Sequence, residues 1–198
     1  MPALTLRGYN AEQPLPPPGH RCYSPFMVPN VKLFIAVLSA PSVSPEYVGQ
    51  LTSEVFGSVE YCGAVIPFDV TSYYEEEMGT GLLRYILGFT GPHQADILVG
   101  AKLACIELER GSSVDAKRTI NLDVGYLDHN KIVLASTKEA GQKIYLDSGI
   151  YADFVARYAR GTYNPFDWSF PDFKDGRYNP DFIALRASLL NQAGRTHD

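Results

Sequence analysis

The sequence predicts an α+β domain built on an antiparallel sheet. An apolar run rich in β-forming residues, 31–40, precedes a helical pattern and two further β-rich runs. A longer helical pattern over 92–110 then leads to a fourth β-rich run. This β-α-β-β-α-β order is that of the split βαβ, or ferredoxin-like, arrangement, with two helices on an antiparallel sheet. C-terminal β-hairpins and a final helix extend this core.

Length and composition favour one folded domain with a short leader. At 198 residues the chain has the size of a single elaborated domain, and 45% hydrophobic with 20% charged residues is the balance of a folded protein. Prolines are dense in the first thirty residues, where they forbid helix interiors and central strands. We therefore predict a proline-rich leader at 1–30 and a single α+β domain at 31–198.

Charge and cysteine content argue against several classes of protein. The formal net charge of −5 argues against a broad nucleic-acid surface. Cysteines are few and form no C-x-x-C pair, which suits a reducing compartment. The longest apolar run, Leu33–Leu38, is far too short to span a membrane, and the N-terminus lacks the apolar core of a signal peptide. The chain is therefore predicted to be cytoplasmic, with no membrane attachment.

The first half of the predicted core contains three strands and one helix. Ser44 is placed to cap a helix that begins at Pro45, and Gly57 supplies its left-handed end. Pro67 places the end of the second strand at a sheet edge or a bulge. The strands of this half are predicted at 31–40, 58–68 and 82–89.

The second half opens with the clearest helical pattern of the chain, over 92–110. Its apolar side chains share one face: Ile97, Leu98, Ala101, Ala104, Cys105 and Leu108. Asp147-Ser148-Gly149 forms a predicted hairpin turn, and Asn179 caps a final helix with Phe182, Leu185 and Leu189 inward. Further strands are predicted at 118–127, 131–136, 142–146 and 150–158.

Several catalytic motifs are absent from the sequence. It has no G-x-x-x-x-G-K-[ST] phosphate loop, no G-x-G-x-x-G after a strand, no H-E-x-x-H and no G-x-S-x-G elbow. The histidines lie in predicted loops or tails without the spacing of metal ligands: His20, His93, His129 and His197. The sequence therefore offers no histidine-based metal site.

One candidate loop places two tyrosines, Tyr73 and Tyr74, directly before three glutamates at 75–77. A divalent cation or a hydroxyl-rich ligand suits that set, since loops on a rigid scaffold commonly carry function. The alternative is a short helical turn capped by Thr71 or Ser72, with acidic residues at its positive end. The sequence leaves both interpretations open.

Two further sets of polar residues lie beside predicted core elements. Lys102 and Glu109 share one flank of the long helix, where Lys102 either anchors a phosphate or carboxylate or extends its ammonium group into water. In the fourth core strand, alternation puts Asn121, Asp123 and Gly125 on one face. That polar row either faces solvent or lines a cleft.

Positive charges and aromatic residues complete the candidates. Lysines and arginines near the same sheet edge as Arg84 either gather positive charge or occupy ordinary surface positions: Lys138, Lys143, Arg157 and Arg160. The aromatic stretch 163–173 either stacks a planar ligand or forms a lid packed on the sheet.

Four ordered motifs resemble those of a known family. They are YYEEEMG at 73–79, NLDVGY at 121–126, IYL at 144–146 with GIYAD at 149–153, and WSFPDF at 168–173. With them the chain resembles domain of unknown function 4416, from about Val31 to the last helix. The resemblance implies no established activity. In that family a His-Arg pair is common where Gln142-Lys143 stands here, and an amide cannot transfer protons near neutral pH as an imidazole does.

The sequence alone leaves the function unknown, and two hypotheses remain. The first is a protein that binds a small anionic molecule, phosphate-bearing or nucleotide-like, or a metal-assisted enzyme. In its catalytic form Glu77, Asp123 and Asp153 carry the chemistry, and Glu77 and Asp123 hold magnesium through oxygen ligands. The predicted ligand contacts are Tyr74, Arg84, Lys102, Asn121, Tyr126 and Lys138.

The second hypothesis is a non-catalytic module for protein interaction or self-assembly. The aromatic stretch 163–173 and an open sheet edge would form its binding surface, and a homo-oligomer is one expected outcome. Fold cannot decide between the two hypotheses, because ferredoxin-like units host many unrelated functions.

Overall fold

Residues 28–194, described here from a computed structural model, form a mixed α/β structure around a large antiparallel sheet. The predicted leader at 1–30 lies outside the described residues apart from its last three. Within the described range, ten strands form the sheet: β1 (Asn30–Ser39), β2 (Val59–Cys62), β3 (Ile66–Pro67), β4 (Leu83–Phe89), β5 (His93–Gln94), β6 (Ile120–Leu127), β7 (Lys131–Ser136), β8 (Ile144–Asp147), β9 (Ile150–Ala159) and β10 (Thr162–Pro165). Five α-helices accompany them: α1 (Pro45–Phe56), α2 (Glu75–Met78), α3 (Leu98–Gly111), α4 (Pro171–Lys174) and α5 (Asn179–Gly194).

The strand order places β1 near the centre of the sheet. The main path runs β10-β9-β7-β6-β1-β4-β2, and all of its neighbouring pairs are antiparallel. Three short strands lie off this path: β3 pairs with β4, β5 with β1, and β8 with β9. Every residue of β1 after Asn30 is buried, which confirms a strand covered on both faces.

Helices cover both faces of the sheet because the side chains of β1 alternate between them. Leu33, Ile35 and Val37 pack with buried residues of α1 and α3, whereas Phe34 and Ala36 pack with α5. The predicted inward residues of the last helix are all buried: Phe182, Leu185 and Leu189. Two hydrophobic cores therefore form, one on each side of the sheet.

Local sequence signals explain several element boundaries. The Ser44 hydroxyl accepts a hydrogen bond from the backbone N–H of Tyr47, and α1 begins at Pro45 as predicted. Gly57 follows its last turn with a φ of 85°, a conformation that favours glycine. Ser148 and Gly149 both have positive φ, 51° and 76°, as a two-residue hairpin turn between β8 and β9 requires.

Three predicted elements differ from the structure. The single strand expected at 58–68 is divided into β2 and β3, which both pair with β4, and the register within β2 shifts between Val59 and Tyr61. The helix expected from residue 92 begins only at Leu98, after β5 and one 3₁₀ turn. Tyr163 belongs to β10, so the aromatic stretch begins as a strand paired with β9.

No helix among residues 28–194 combines the length and apolar character needed to cross a bilayer.

Candidate functional site

A cleft opens where β6 and β7 part. The two strands pair only between Gly125–Leu127 and Ile132–Leu134, although β6 begins at Ile120 and β7 continues to Ser136. The space between the unpaired stretches, which we name the polar chamber, has a volume of about 300 Å³. Its charged and amide-bearing wall residues are Lys102, Glu109, Arg118, Asn121, Asp123, Lys138, Lys143 and Asp153.

Side chains of α3 take the place of the missing strand beside β6. Lys102 and Glu109 are seven residues apart, which puts them on the same flank of the helix about two turns apart. The Lys102 ammonium donates to the carbonyl of Leu122 at 2.9 Å, and the Glu109 carboxylate accepts from the Leu122 N–H at 2.6 Å. Both side chains are buried, so the interpretation in which the Lys102 ammonium lies in water is wrong.

Gly125 permits the close approach of β6 and β7 where their pairing ends. A Cβ atom at this position would lie 2.5 Å from the carbonyl oxygen of Val133 and 2.7 Å from a methyl carbon of Leu134. Backbone oxygen atoms cannot move aside without disturbing the strand, so only glycine fits here.

Arg118, two residues before β6, forms hydrogen bonds to three other side chains. Its guanidinium donates two hydrogen bonds of 2.6 Å to Glu77, one of 3.3 Å to Glu109 and one of 2.8 Å to the side-chain oxygen of Asn121. The hydrogen bonds from Arg118 hold the pKa of Glu77 below its usual value. Because the Asn121 oxygen faces Arg118, its amide nitrogen is the donor that helps to lower the pKa of Asp123, but it completes no hydrogen bond of normal geometry among the described residues.

Asp123 is held between two cations. Both terminal nitrogens of Arg84 donate to one carboxylate oxygen at 3.1 Å, and the Lys102 ammonium lies 4.0 Å from the other. Burial alone would raise the pKa of Asp123, but the attraction of Arg84 and Lys102 outweighs it and keeps the pKa below its usual value. The Asp123 carboxylate therefore stays ionised and is a poor proton acceptor near neutral pH.

The opposite wall carries a second buried ion pair. The Lys143 ammonium lies 3.4 Å from one oxygen of Asp153 and donates to the Ser136 hydroxyl at 2.8 Å. The other Asp153 oxygen is buried without a hydrogen-bond partner in the described residues. Asp153 therefore presents an unused acceptor on the chamber wall.

A second hollow of about 320 Å³, the aromatic chamber, adjoins the first. Arg84 lies in its wall and places its Nε atom 3.3 Å from Asp172, at the start of α4. Burial, followed by the charge of Asp123, raises the pKa of Tyr74 to about 12, so its hydroxyl stays protonated at neutral pH. The two chambers share five wall residues: Tyr73, Tyr74, Asp123, Lys138 and Phe170. Further walls of the aromatic chamber are Phe68, Val70, Thr71 and Pro171.

Comparison with known proteins decides the family. A model of the domain of unknown function DUF4416 matches residues 29–189, most of the chain and both chambers. The chain belongs to the DUF4416 family. No curated protein and no solved structure matches it.

Most of the predicted site residues of this DUF4416 protein meet in the cleft. Six of them line the polar chamber: Tyr74, Lys102, Asn121, Asp123, Lys138 and Asp153. Arg84 lines the aromatic chamber instead. Glu77 lies outside both walls and holds Arg118, and Tyr126 packs against the core beneath α1 and α3. Within residues 28–194, no three His, Cys, Asp or Glu side chains form a group able to hold a metal ion.

The loop predicted at 71–79 contains a short helical turn, as one of its two interpretations expects, but without the expected side-chain cap. Its glutamates form the short helix α2, but neither Thr71 nor Ser72 caps that helix through its side chain, because the N-cap position is Tyr74. The Thr71 hydroxyl instead accepts a hydrogen bond from the Tyr73 N–H. The tyrosines before the helix line both chambers.

Three site residues of this DUF4416 chain were not predicted as such: Glu109, Arg118 and Asp172. Glu109 carried a usable signal, because a glutamate on the core flank of a helix needs a buried partner. Arg118 and Asp172 gave no local signal, since Arg118 contacts Glu77 and Asp172 contacts Arg84 across long stretches of sequence.

Proposed function

We propose that the chain binds a small anionic molecule, phosphate-bearing or nucleotide-like, across the two chambers. The observation that carries this proposal is the uncommitted positive charge of the polar chamber. Lys138 forms no ion pair within residues 28–194, whereas Lys102 donates to the Leu122 carbonyl and lies 4.0 Å from Asp123. The unpartnered Asn121 amide adds a neutral donor beside them. Phosphate oxygens accept hydrogen bonds from charged donors and from amide donors alike.

The carboxylates of the chamber do not cancel the charge of Lys138. Each of them lies beside another cation: Glu109 pairs with Arg118, Asp123 with Arg84, and Asp153 with Lys143. Arg118 and Arg84 are shared, however, because they also pair with Glu77 and Asp172. Since Lys102 lies 4.0 Å from Asp123, the charge of Lys138 is the one left for a ligand.

The aromatic chamber suits a planar or apolar part of the same ligand. Phe68 and Tyr74 lie edge to face with ring centroids 6.0 Å apart, and Tyr73 lies edge to face with Tyr74 at 5.0 Å. Aromatic rings favour offset or edge contacts with other planar groups. A ligand with a phosphate in one chamber and a ring in the other would use both.

Ligand-dependent thermal stability tests the proposal. Wild-type protein is heated with inorganic phosphate, sugar phosphates, nucleotides, magnesium chloride and manganese chloride, because a ligand selective for the native state raises Tm. We expect a phosphate compound to raise Tm, and Lys138→Ala to reduce that rise. Lys117→Ala is the matched control, since Lys117 is an exposed lysine outside both chambers. No shift with any compound, or equal shifts in both variants, would overturn the proposal.

A metal-assisted enzyme remains the catalytic form of this proposal. Its magnesium ligands were predicted as Glu77 and Asp123, with Asp153 contributing to catalysis, yet Arg118 and Arg84 already occupy the first two carboxylates. Asp153 is the one of the three with a fully buried oxygen that has no hydrogen-bond partner among the described residues. Titration of the protein with magnesium, with and without bound phosphate, tests whether it is a metal-assisted enzyme. The metal and the phosphate should then each bind more tightly in the presence of the other.

Self-assembly is the second candidate function, and an exposed sheet edge favours it. β8 pairs only with β9 in the described structure, and its apolar side chains are largely exposed: Ile144 at 67%, Tyr145 at 58% and Leu146 at 39%. Exposed apolar edge strands readily pair with another chain. We propose that β8 pairs with β8 of a second copy. Ile144→Lys should then convert a dimer to a monomer in light scattering, whereas the equally exposed Val114→Lys should not.

We also infer that β1, α1, β2, β4, α3 and β6 form a ferredoxin-like unit. The strand order β6-β1-β4-β2 with antiparallel neighbours supports it, as does the packing of α1 and α3 on one face. β7 to β10, α4 and α5 would then be additions to that unit. A solved structure with α1 and α3 on opposite faces of the sheet would contradict this inference.

A further inference from the structure

Two buried polar atoms without partners lie in the walls of the polar chamber. One is the amide nitrogen of Asn121 on β6, a donor, and the other is an oxygen of Asp153 on β9, an acceptor. The two residues are 6% and 4% exposed. Buried side-chain nitrogen and oxygen atoms are nearly always hydrogen-bonded, so each such exception needs an explanation. A donor and an acceptor left over in one cleft are explained by a ligand that supplies both partners.

The neighbours of both residues hold these atoms in place. The Asn121 oxygen accepts from Arg118 at 2.8 Å, and Glu77 holds Arg118 in turn through two hydrogen bonds. Lys143 lies 3.4 Å from the engaged oxygen of Asp153. The chamber therefore offers a fixed donor and a fixed acceptor before any ligand binds, which lowers the entropic cost of binding.

The Asp153 oxygen narrows the ligand class, because the dianionic phosphate group of an ester, the main form above its second pKa of about 6, has no hydrogen to donate to it. A carboxylate oxygen accepts hydrogen bonds and repels a second anion, so the ligand must also carry an O–H or N–H group. The Lys143 ammonium beside it has three N–H donors; Ser136 accepts a hydrogen bond from one, and the other Asp153 oxygen lies 3.4 Å away as an ion-pair partner. A hydroxyl group can donate to Asp153 and accept from a remaining N–H, whereas an ammonium group can only donate and is repelled by Lys143.

We infer that the ligand is a polyol phosphate, with a hydroxyl that donates to Asp153 and a phosphate bound by Lys102, Lys138 and Asn121. This inference rests on the proposed phosphate binding and deepens it. The polar chamber, at about 300 Å³, lies at the lower end of the range for small-molecule sites. A sugar phosphate would therefore fill it, while any attached ring would extend into the aromatic chamber.

The test compares ligands on the wild-type protein by isothermal titration calorimetry. Ribose 5-phosphate, fructose 6-phosphate and glycerol 3-phosphate are set against pentyl phosphate, which keeps the phosphate and lacks every hydroxyl. We expect at least one polyol phosphate to bind about 10- to 100-fold more tightly than pentyl phosphate, the effect of one hydrogen bond to a charged group. Asp153→Asn should reduce that ratio to below about 3-fold, whereas Lys138→Ala should weaken both ligand types by similar factors.

The outcomes distinguish the polyol inference from the proposed phosphate binding on which it rests. Equal binding of polyol and pentyl phosphates overturns the polyol inference and leaves phosphate binding intact. No binding of any phosphate overturns both. Tighter binding of glucosamine 6-phosphate than of fructose 6-phosphate also overturns the inference, since it shows that an ammonium group is preferred. The wild-type comparison needs no variant, so it decides the matter even if Asp153→Asn, which leaves Lys143 without its partner, fails to fold.

Discussion

Both halves of β6 pair with the same strand on one side, but their neighbours on the other side differ. Along its whole length β6 pairs with β1, but only Gly125–Leu127 also pair with β7. In the other half, Lys102 and Glu109 of α3 bond to the carbonyl and the N–H of Leu122. The lysine thus replaces the N–H donor and the glutamate replaces the carbonyl acceptor that a strand would supply, since each matches one backbone group.

This difference shows how the protein opens a cleft inside a sheet while still pairing the backbone groups of Leu122. The closed half is held by strand pairing, whereas the open half depends on buried ions. Buried ion pairs add little net stability compared with apolar packing, but removing one partner is costly because the other charge remains buried. We therefore expect the open half to be the more sensitive to single substitutions and the closed half to be the more sensitive to added volume.

Removing the Glu109 carboxylate should give the largest effect on stability. Glu109→Ala leaves the Leu122 N–H without its acceptor and Arg118 without one of its carboxylates, and such a loss costs about 3–5 kcal/mol. Urea unfolding measures the change. Glu107→Ala, on the exposed side of α3, should cost less than about 1 kcal/mol because its pair with Arg110 is exposed to solvent. Similar losses in both variants would show that the open half does not depend on Glu109.

Adding a single methyl group to the closed half should have the next largest effect. Gly125→Ala forces a carbon against the Val133 oxygen, and overpacking of this kind costs about 1–3 kcal/mol. Gly100→Ala is the matched control, because a Cβ there, in the first turn of α3, meets nothing within 4 Å. It should stabilise the protein by about 0.5–1 kcal/mol through helix propensity. A Gly125→Ala protein as stable as the wild type would mean that β6 and β7 can separate at no cost.

The sequence predicts the closed half of this comparison better than the open half. The apolar run at 31–40 and the apolar face of the helix at 97–108 both lie where periodicity places them, because burial follows the local alternation of side chains. Gly125 also carried a signal, since glycine inside a strand marks a close approach of backbones. The family resemblance is confirmed by the match over residues 29–189.

The open half was less predictable because its contacts depend on distant parts of the chain. Sequence patterns place Asn121 and Asp123 on one strand face, but where β7 leaves β6 depends on the register of two strands. Arg118 meets Glu77 from 41 residues away, and no local pattern pairs them. Lys102 remained ambiguous for the same reason: its ammonium is buried only because the Leu122 carbonyl lies beside it.

The pH dependence of stability should sharpen the contrast between two carboxylates of the open half. Burial raises the pKa of Glu109 above its usual 4.5 despite the attraction of Lys102 and Arg118, whereas the pKa of Asp123 is lowered. Because the native pKa of Glu109 is raised, the folded state binds the Glu109 proton more tightly than the unfolded state does. The stabilisation that comes from this protonation is present below pH 4.5 and is lost as pH rises from 4.5 through the native pKa. The wild type should therefore lose stability relative to Glu109→Gln over that range.

Asp123→Asn provides the opposite sign. Because the native pKa of Asp123 lies below its usual 3.8, its stabilising contribution is present above that pH and disappears as the solution becomes more acidic. Urea unfolding of the wild type and both variants between pH 3 and 8 checks the two slopes. The difference in free energy of unfolding between the wild type and each variant should change in opposite directions with pH for Glu109→Gln and Asp123→Asn. A change in the same direction for both would show that the pKa of one of the two carboxylates is shifted the other way.

Lys138→Ala should have the smallest effect on stability, which distinguishes a cation held for a ligand from a cation held for the fold. Lys138 is exposed, and among the described residues its ammonium bonds only to the hydroxyl and ring of Tyr73, so its removal should change the free energy of unfolding by less than about 0.5 kcal/mol. Lys102→Ala removes the donor to the buried Leu122 carbonyl and should cost about 1–3 kcal/mol. Since both lysines line the polar chamber, both variants should weaken phosphate binding. A stability loss in Lys138→Ala as large as that in Lys102→Ala would show that the Lys138 ammonium stabilises the folded state. It would then not be available to bind an anion.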